Sequence, residues 1–377
     1  IMQGNFFALH NRGAALLALK RFDEALASFD RALTIEVDDV EALTNRGVAL
    51  YELRRWEEAL VSLERALAFR ADYAEAWANR ANVLFDLKRV EEAFYSWQQA
   101  LAIKSDFVEA LISRANALNE LGRAAEAIAD YEKMLALDPA QNYVSGMLVH
   151  AKMHCCDWRG FEQAVGDLIA GVRANRRVVT PFELLNICDS AADQLQCTKL
   201  WATDKFPAAV AAGWQGPKYR HDRIRLAYVS ADLRDHAAAY LLAGLIEHHD
   251  RSRFETIAIS FGADPASAMQ ARLKGAFEHF IDVSDKSDAE IVDLMRALEI
   301  DIAVDLMGFT TRSRTGIFAQ RAAPVQVNYL GYPATMGADY MDYIFADRFV
   351  IPEESRSSYA EKVVWRSEEH TSELQSH

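Results

Sequence analysis

Cysteine is scarce in this chain. The four residues are Cys155, Cys156, Cys188 and Cys197. Neighbouring cysteines rarely pair and no C-x-x-C occurs, so neither a disulfide framework nor a cysteine zinc site is expected. Reduced thiols in a cytoplasmic protein are. Basic residues are outnumbered, 41 Lys and Arg against 55 Asp and Glu, for a net charge of −14. A nucleic-acid partner needs a basic face, so that class is set aside. No apolar run approaches the roughly 18 residues of a membrane span, and no membrane partner is expected. No signal peptide is visible, and a chain that opens on Ile1 and Met2 is expected to begin inside a longer one. Glycine-rich nucleotide loops are missing too. Without G-x-G-x-x-G or G-x-x-x-x-G-K-[ST], neither a dinucleotide cofactor nor P-loop chemistry is indicated. Without G-x-S-x-G there is no nucleophile elbow. No D-x-D occurs, so a metal-dependent sugar-nucleotide site of that kind lacks its ligands, and neither metal nor cofactor is expected.

What the chain does have is a repeat. "NRG" occurs at Asn11–Gly13 and Asn45–Gly47, "NRA" at Asn79–Ala81 and "SRA" at Ser113–Ala115. The spacing of about 34 residues is that of a tetratricopeptide repeat. Small residues keep step at Ala25, Ala59, Ala93 and Ala127, and at Ala32, Ala66 and Ala100, where the last unit has Met134. Large ones recur at Phe29, Leu63, Trp97 and Tyr131, and Pro139 closes the last unit. Each unit reads as two antiparallel helices, with small residues allowing close approach and the large one filling the gap. Four units over residues 6–141 predict an α-solenoid, an architecture that binds. The first helices would line the concave face, with Asn11, Asn45 and Asn79 as a ladder. An amide both donates and accepts, so such a ladder suits an extended peptide backbone. Solvated polar positions are the alternative, and the ladder breaks at Ser113. Arg12, Arg46, Arg80 and Arg114 read as a solvated face.

Residues 142–222 read as an irregular helical linker region, ending in the polar Gly/Pro stretch "GWQGPKYRHD". From Arg223 strands alternate with helices. "RIRLAYVS", "FETIAISFG", "FIDVS", "DIAVDLMG", "VQVNYLGYP" and "MDYIFAD" are the strand candidates. Near-continuous apolar strands of this kind predict a parallel sheet covered on both faces. Ligands then bind beyond the carboxyl ends of the strands, which here carry unusual residues. One end presents Asp232, Asp235 and His236, a second Asp305, Gly308 and Thr310, a third Gly331, Tyr332 and Pro333. Taken alone, Asp232 fits a helix cap, Asp305 an anchor for the loop that holds Gly308, and Tyr332-Pro333 a rigid turn. Arg312 and Arg314 fit either solvent or a phosphate. His248 and His249 read as solvated.

Repeats followed by "RLAYVSADLRDHAAAYL", "DIAVDLMGFTTRSR" and "RAAPVQVNYLGYPATMGADYMDYIFAD" resemble the O-linked N-acetylglucosamine transferase and SPINDLY family, glycosyltransferase family 41, in its bacterial form. "CDW" at Cys156–Trp158 is similar to the family's linker. The resemblance implies a GT-B type fold of two Rossmann-like halves facing across a cleft. It implies inverting transfer of a sugar to Ser or Thr of proteins, without an essential metal. The donor would be UDP-GlcNAc, or a guanine nucleotide fucose as in the SPINDLY branch. It assigns catalytic roles to Asp232 and His236 and substrate contacts to Leu330 and Gly331. Tyr332, Asp305 and Thr310 at the neighbouring strand ends are further candidate substrate contacts. Two positions depart from the animal pattern: Ala238 stands where those enzymes have Thr, and Asp235 where they have Asn. The family's second half, which supplies most nucleotide contacts and a phosphate-binding lysine, is not found before Trp365. The first half is placed at residues 223–365, and residues 366–377 read as a non-native tail of a C-terminally truncated chain, expected to be inactive alone. A non-catalytic repeat scaffold is the alternative function.

Overall fold

The computed structural model describes residues 2–209, 214–262 and 267–365. The tail expected at 366–377 lies outside the described residues. Two compact units divide after Phe161.

The first unit is a row of helices: α1 (Met2–Ala18), α2 (Phe22–Leu33), α3 (Val40–Glu52), α4 (Trp56–Phe69), α5 (Ala74–Asp86), α6 (Val90–Ile103), α7 (Val108–Glu120), α8 (Ala124–Leu137) and α9 (Val144–His154). The small-against-large logic of the repeat is visible in its contacts. A Cβ on Gly13 would come within 2.7 Å of the Phe29 ring, and one on Gly47 within 2.7 Å of Leu63. Phe29, Leu63, Trp97 and Tyr131 are all buried. Where the large residue has a polar tip, the repeat supplies a partner, as a buried donor requires. Trp97 Nε1 donates to Asn82 Oδ1 at 3.2 Å, and the Tyr131 hydroxyl to Asn116 Oδ1 at 3.1 Å. The equivalent positions facing Phe29 and Leu63 hold Ala14 and Val48.

Beyond Arg12, which stays about half exposed, the arginines are not a solvated face, and all four make contacts. Arg12 donates to Ser28 Oγ at 2.7 Å, Arg46 to Asp30 at 2.6 Å and Arg80 to Ser96 Oγ at 2.7 Å. Arg80 also reaches Glu64 of the preceding unit at 3.1 Å. Arg114 grips the buried Asp130 with two nitrogens, at 2.9 and 2.6 Å. Helices held close by alanine and glycine bring a second helix within reach of the guanidinium fork, which clasps it.

The second unit runs through α10 (Phe161–Arg173), α11 (Pro181–Leu185), α12 (Ala191–Lys205), β1 (Ile224–Ser230), α13 (Ala237–Glu247), β2 (Phe254–Ser260), α14 (Ala268–Ala276), β3 (His279–Asp282), α15 (Asp288–Ala297), β4 (Ile302–Asp305), α16 (Thr315–Ala319), β5 (Val325–Tyr329), β6 (Tyr343–Ala346) and β7 (Lys362–Trp365). The sheet order is β3-β2-β1-β4-β5-β6-β7, with every neighbouring pair parallel. The short helix α16 and the edge strand β7 have no counterpart among the expected elements. Side chains alternate along β1. Leu226 and Tyr228 join a core with α13 and α14, while Ala227 and Val229 join one with α15 and α16. Both faces are therefore covered, and the strands read as apolar runs because each side chain is inside. The stretch expected as a linker divides between the units. Val144 and Ala151 of α9 pack on the last repeat, whereas Ala202 of α12 enters the core of the sheet.

Candidate active site

The sheet turns at β1. The chain first winds outward through β2 and β3, then returns to β4 on the other side of β1. In open α/β sheets the crevice beyond such a switch point is where ligands bind. β1 delivers Asp232 and His236 there, β4 delivers the Asp305 loop, and neighbouring β5 delivers Leu330 and Gly331.

The loop after β1 is pinned at its first residue. Ser230 is buried, and its hydroxyl accepts the Asp232 N–H at 2.9 Å and donates to Met307 Sδ at 3.2 Å. The helix cap expected of Asp232 is not its role. His236 is the N-cap of α13: its backbone is extended and its Nδ1 accepts the Ala238 N–H at 3.3 Å. An imidazole accepting there carries its neutral-form proton on Nε2, which leaves Nε2 a donor. Asp232 is thereby left to other partners. Its Oδ1 is 3.5 Å from an Arg234 nitrogen and its Oδ2 3.6 Å from His236 Nδ1. Neither distance is a hydrogen bond, and Nδ1, itself an acceptor, offers Asp232 no proton, so both carboxylate oxygens keep accepting capacity. Asp235 instead takes the exposed Tyr240 hydroxyl at 2.9 Å, a bond that pushes the tyrosine pKa up.

Asp305 anchors its loop. Its Oδ1 accepts from the N–H groups of Met307 and Gly308, at 2.8 and 3.1 Å. Its Oδ2 is buried with no partner. Burial pushes the carboxyl up to about 6, against the opposing pull of those two N–H bonds. A side chain so enclosed does not reach a substrate. Thr310 donates to the Met307 carbonyl at 2.8 Å and stays partly exposed. Leu330 takes a left-handed conformation, φ 73°. A Cβ on Gly331 would lie 1.9 Å from the Leu306 carbonyl oxygen, so the β4 and β5 loops touch backbone to backbone there. The Tyr332 ring turns inward, 1% exposed and edge-on to Phe309. Its carbonyl is taken by Asn328 Nδ2 at 3.2 Å. A substrate contact through the Tyr332 side chain is thus closed off. Arg314 is buried against Asp288 and the Lys286 carbonyl and is a structural residue, whereas Arg312 is exposed.

Two residues of the site went unnoticed in the sequence, Ser230 and Arg234. Their signal was position alone: one ends the strand, the other sits between the two acids.

In the repeats, Asn11 is exposed and Asn79 partly so, while Asn45 Nδ2 lies 3.2 Å from His10 Nε2. The three occupy α1, α3 and α5. His249 is not solvated: its Nε2 lies 2.8 Å from the Tyr228 hydroxyl, and burial pulls its pKa down. Cys188 and Cys197 are buried and free. Burial pushes the Cys197 thiol up to about 12, which makes it inert. Among the described residues no three His, Cys, Asp or Glu group as metal ligands, and no helix is long and apolar enough to cross a membrane. A cavity of about 500 Å³ opens at the opposite end of the sheet, beside Arg225, Glu255 and His279. There Glu255 pairs with Arg225 at 3.3 Å and His279 at 3.1 Å, holding the strand starts together.

Residues 205–371 match the model of Glycosyl transferase family 41, and residues 16–83 and 108–141 match tetratricopeptide repeat models. The α/β portion of this chain is similar to glycosyl transferase family 41. Over 142 residues the chain is 36% identical to the probable UDP-N-acetylglucosamine-peptide N-acetylglucosaminyltransferase SEC of Arabidopsis thaliana, a match covering 38% of this chain and 14% of that relative. Over 158 residues it is 30% identical to a probable enzyme of the same name, SPINDLY, of Oryza sativa subsp. japonica, covering 40% and 17%. A solved O-GlcNAc transferase mutant of Thermobaculum terrenum aligns with TM-score 0.46 and 24% identity, over 97% of this chain and 58% of that one. The matched portions are thus less than two thirds of each of these proteins.

Proposed function

We propose that the chain is the acceptor-recruiting and sugar-side part of a protein O-glycosyltransferase of family 41. The observation that carries the reading is the division of labour after β1. His236 takes the cap, which frees the Asp232 carboxylate at the switch point of the sheet. The acceptor is a Ser or Thr hydroxyl and the donor UDP-GlcNAc, as the names of the relatives suggest. The hydroxyl oxygen attacks the anomeric carbon, the bond from that carbon to the diphosphate breaks, and configuration inverts. Asp232 accepts the hydroxyl proton, directly or through one water. His236 Nε2–H donates a hydrogen bond across the reacting centre, and the Leu330–Gly331 backbone lies against the sugar. Asn11, Asn45 and Asn79 hold the acceptor backbone, and the reaction belongs in the cytoplasm. No metal step enters this reading.

The test is transfer by the protein continued through the family's second half. With labelled UDP-GlcNAc and Ser/Thr peptides it is expected to label hydroxyls, less so once the repeats are removed. Residues 1–365 alone are expected to show no appreciable turnover. No transfer by the longer protein from either UDP-GlcNAc or GDP-fucose would sink the reading and favour a binding scaffold.

A further inference from the structure

The last helix of the first unit carries two imidazoles that the transferase reading does not use. His150 and His154 stand one turn apart on α9, with their Nε2 atoms 3.3 Å apart. The rings meet edge to face, centroids 4.5 Å apart. A tetrahedral zinc ion with Zn–N near 2.0–2.1 Å holds two nitrogens about 3.3–3.4 Å apart. The pair therefore already has the bite of a chelate. We propose that His150 and His154 form a two-histidine clip for a borderline divalent ion of the zinc, nickel or copper class, which imidazole suits.

The surroundings support a clip rather than an ion pair. His150 is half-buried, so one face of the pair is sheltered from solvent. One ring now holds its proton on Nε2 between the two nitrogens. On binding, that proton moves to Nδ1 through solvent, and both Nε2 lone pairs face the ion. Nearby charges are already engaged: Lys152 is 3.0 Å from Glu132, and Arg159 grips Asp157 at 2.7 Å. Among the described residues no third His, Cys, Asp or Glu completes the set, so water fills the other positions. Cys155 and Cys156 follow directly, exposed and free, and take no part. The other adjacent pair differs, because His248 Nδ1 contacts the Gly244 carbonyl at 2.7 Å and His249 is held by Tyr228.

The test uses the full chain without a purification tag. Zinc is titrated by calorimetry at pH 7.5, and melting of the repeat unit is followed with zinc and with a chelator. Binding at this clip raises the melting temperature. His154→Ala removes an exposed side chain, so α9 persists by far-UV circular dichroism. It is expected to weaken this site at least tenfold and abolish the zinc-dependent rise. Copper bound to the chain is expected to show two nitrogen ligands by electron paramagnetic resonance, and one in His154→Ala. Alkylation of the thiols is expected to change nothing. Binding and melting shift unchanged in both His154→Ala and His150→Ala, or abolished by alkylation alone, would overturn the proposal.

Discussion

The two units solve the same problem, close packing of apolar surface, with opposite degrees of redundancy. In the repeats one contact is written four times. A small residue on the first helix meets a large one on the second, and where Gly13 and Gly47 stand in the first two units, Ala81 and Ala115 stand in the last two. A repeat contacts mainly its neighbours, so damage stays local. In the α/β unit each contact at the switch point is written once. Gly331 rests on the Leu306 carbonyl and Gly262 on the Ala231 carbonyl, each a different pair of loops with its own contact.

The largest effect expected from this contrast is Gly331→Ala. Its Cβ meets backbone, which cannot rotate away, so unit two is expected to lose more than ~3 kcal/mol. Gly47→Ala meets the Leu63 side chain instead. The repeats tolerate alanine there, so the loss is expected to be about 1–2 kcal/mol. Denaturant unfolding of each variant, with hydrogen exchange reporting the units separately, measures both. Equal losses would erase the distinction.

Arg114→Ala comes next, because it strands the buried Asp130 carboxylate. A loss of about 2–3 kcal/mol is expected in the last repeat. Arg12→Ala removes a half-exposed contact with Ser28 and costs less than ~1 kcal/mol.

The third effect is on pH, and it separates the units by sign. In unit two, burial pushes Asp305 up to about 6 and Glu183 up to about 7. Their folded values exceed their unfolded ones, so the stability they contribute is complete below about pH 4. It is lost as pH rises through 6 to 7. Acidifying from pH 7.5 to 5 is therefore expected to stabilise unit two, partly offset by His249, which burial holds below its ordinary value. Among the described residues of unit one, His150 alone has a shift that bears on this window, in the destabilising direction. The acids Glu58, Glu92 and Glu126 are lowered by hydrogen bonds from Arg55, Arg89 and Arg123, and matter only below about pH 4.5. Melting curves at the two pH values should move the units in opposite directions. Asp305→Asn should remove about 1.4 kcal/mol of the gain in unit two, since pH 5 lies only one unit below a carboxyl near 6.

The smallest effect is a stabilisation. Lys20, Arg54, Lys88 and Gly122 recur at one repeat position in left-handed backbone. Only the last unit uses glycine there, the residue suited to that conformation. Lys88→Gly is expected to raise repeat stability by roughly 0.5–1 kcal/mol, read from the same unfolding curves.

The repeat was legible because its signal is local and recurs. The parallel α/β character was legible because strands buried on both faces carry continuous apolar runs. The arginine clasps were not, since Arg12 and Ser28 meet only after two helices pack. The identity of the cap was not legible either. Asp232 and His236 both lie ahead of α13, and aspartate is the commoner cap. What decided between them was the loop geometry set by Ser230 and Met307, a contact between residues far apart in sequence. Tyr332 failed as a substrate contact for the same reason: the inward turn of its ring depends on Phe309 and Gly308, from another strand end.

The reading turns on the carboxylate that the imidazole frees. Asp232→Asn, made in a protein continued through the family's second half, keeps size and shape and removes the proposed base. The most direct measurement is its single-turnover rate of sugar transfer beside its affinity for an acceptor peptide. The account predicts a rate at least ~100-fold lower with peptide affinity unchanged. A rate within about twofold of the parent would contradict it.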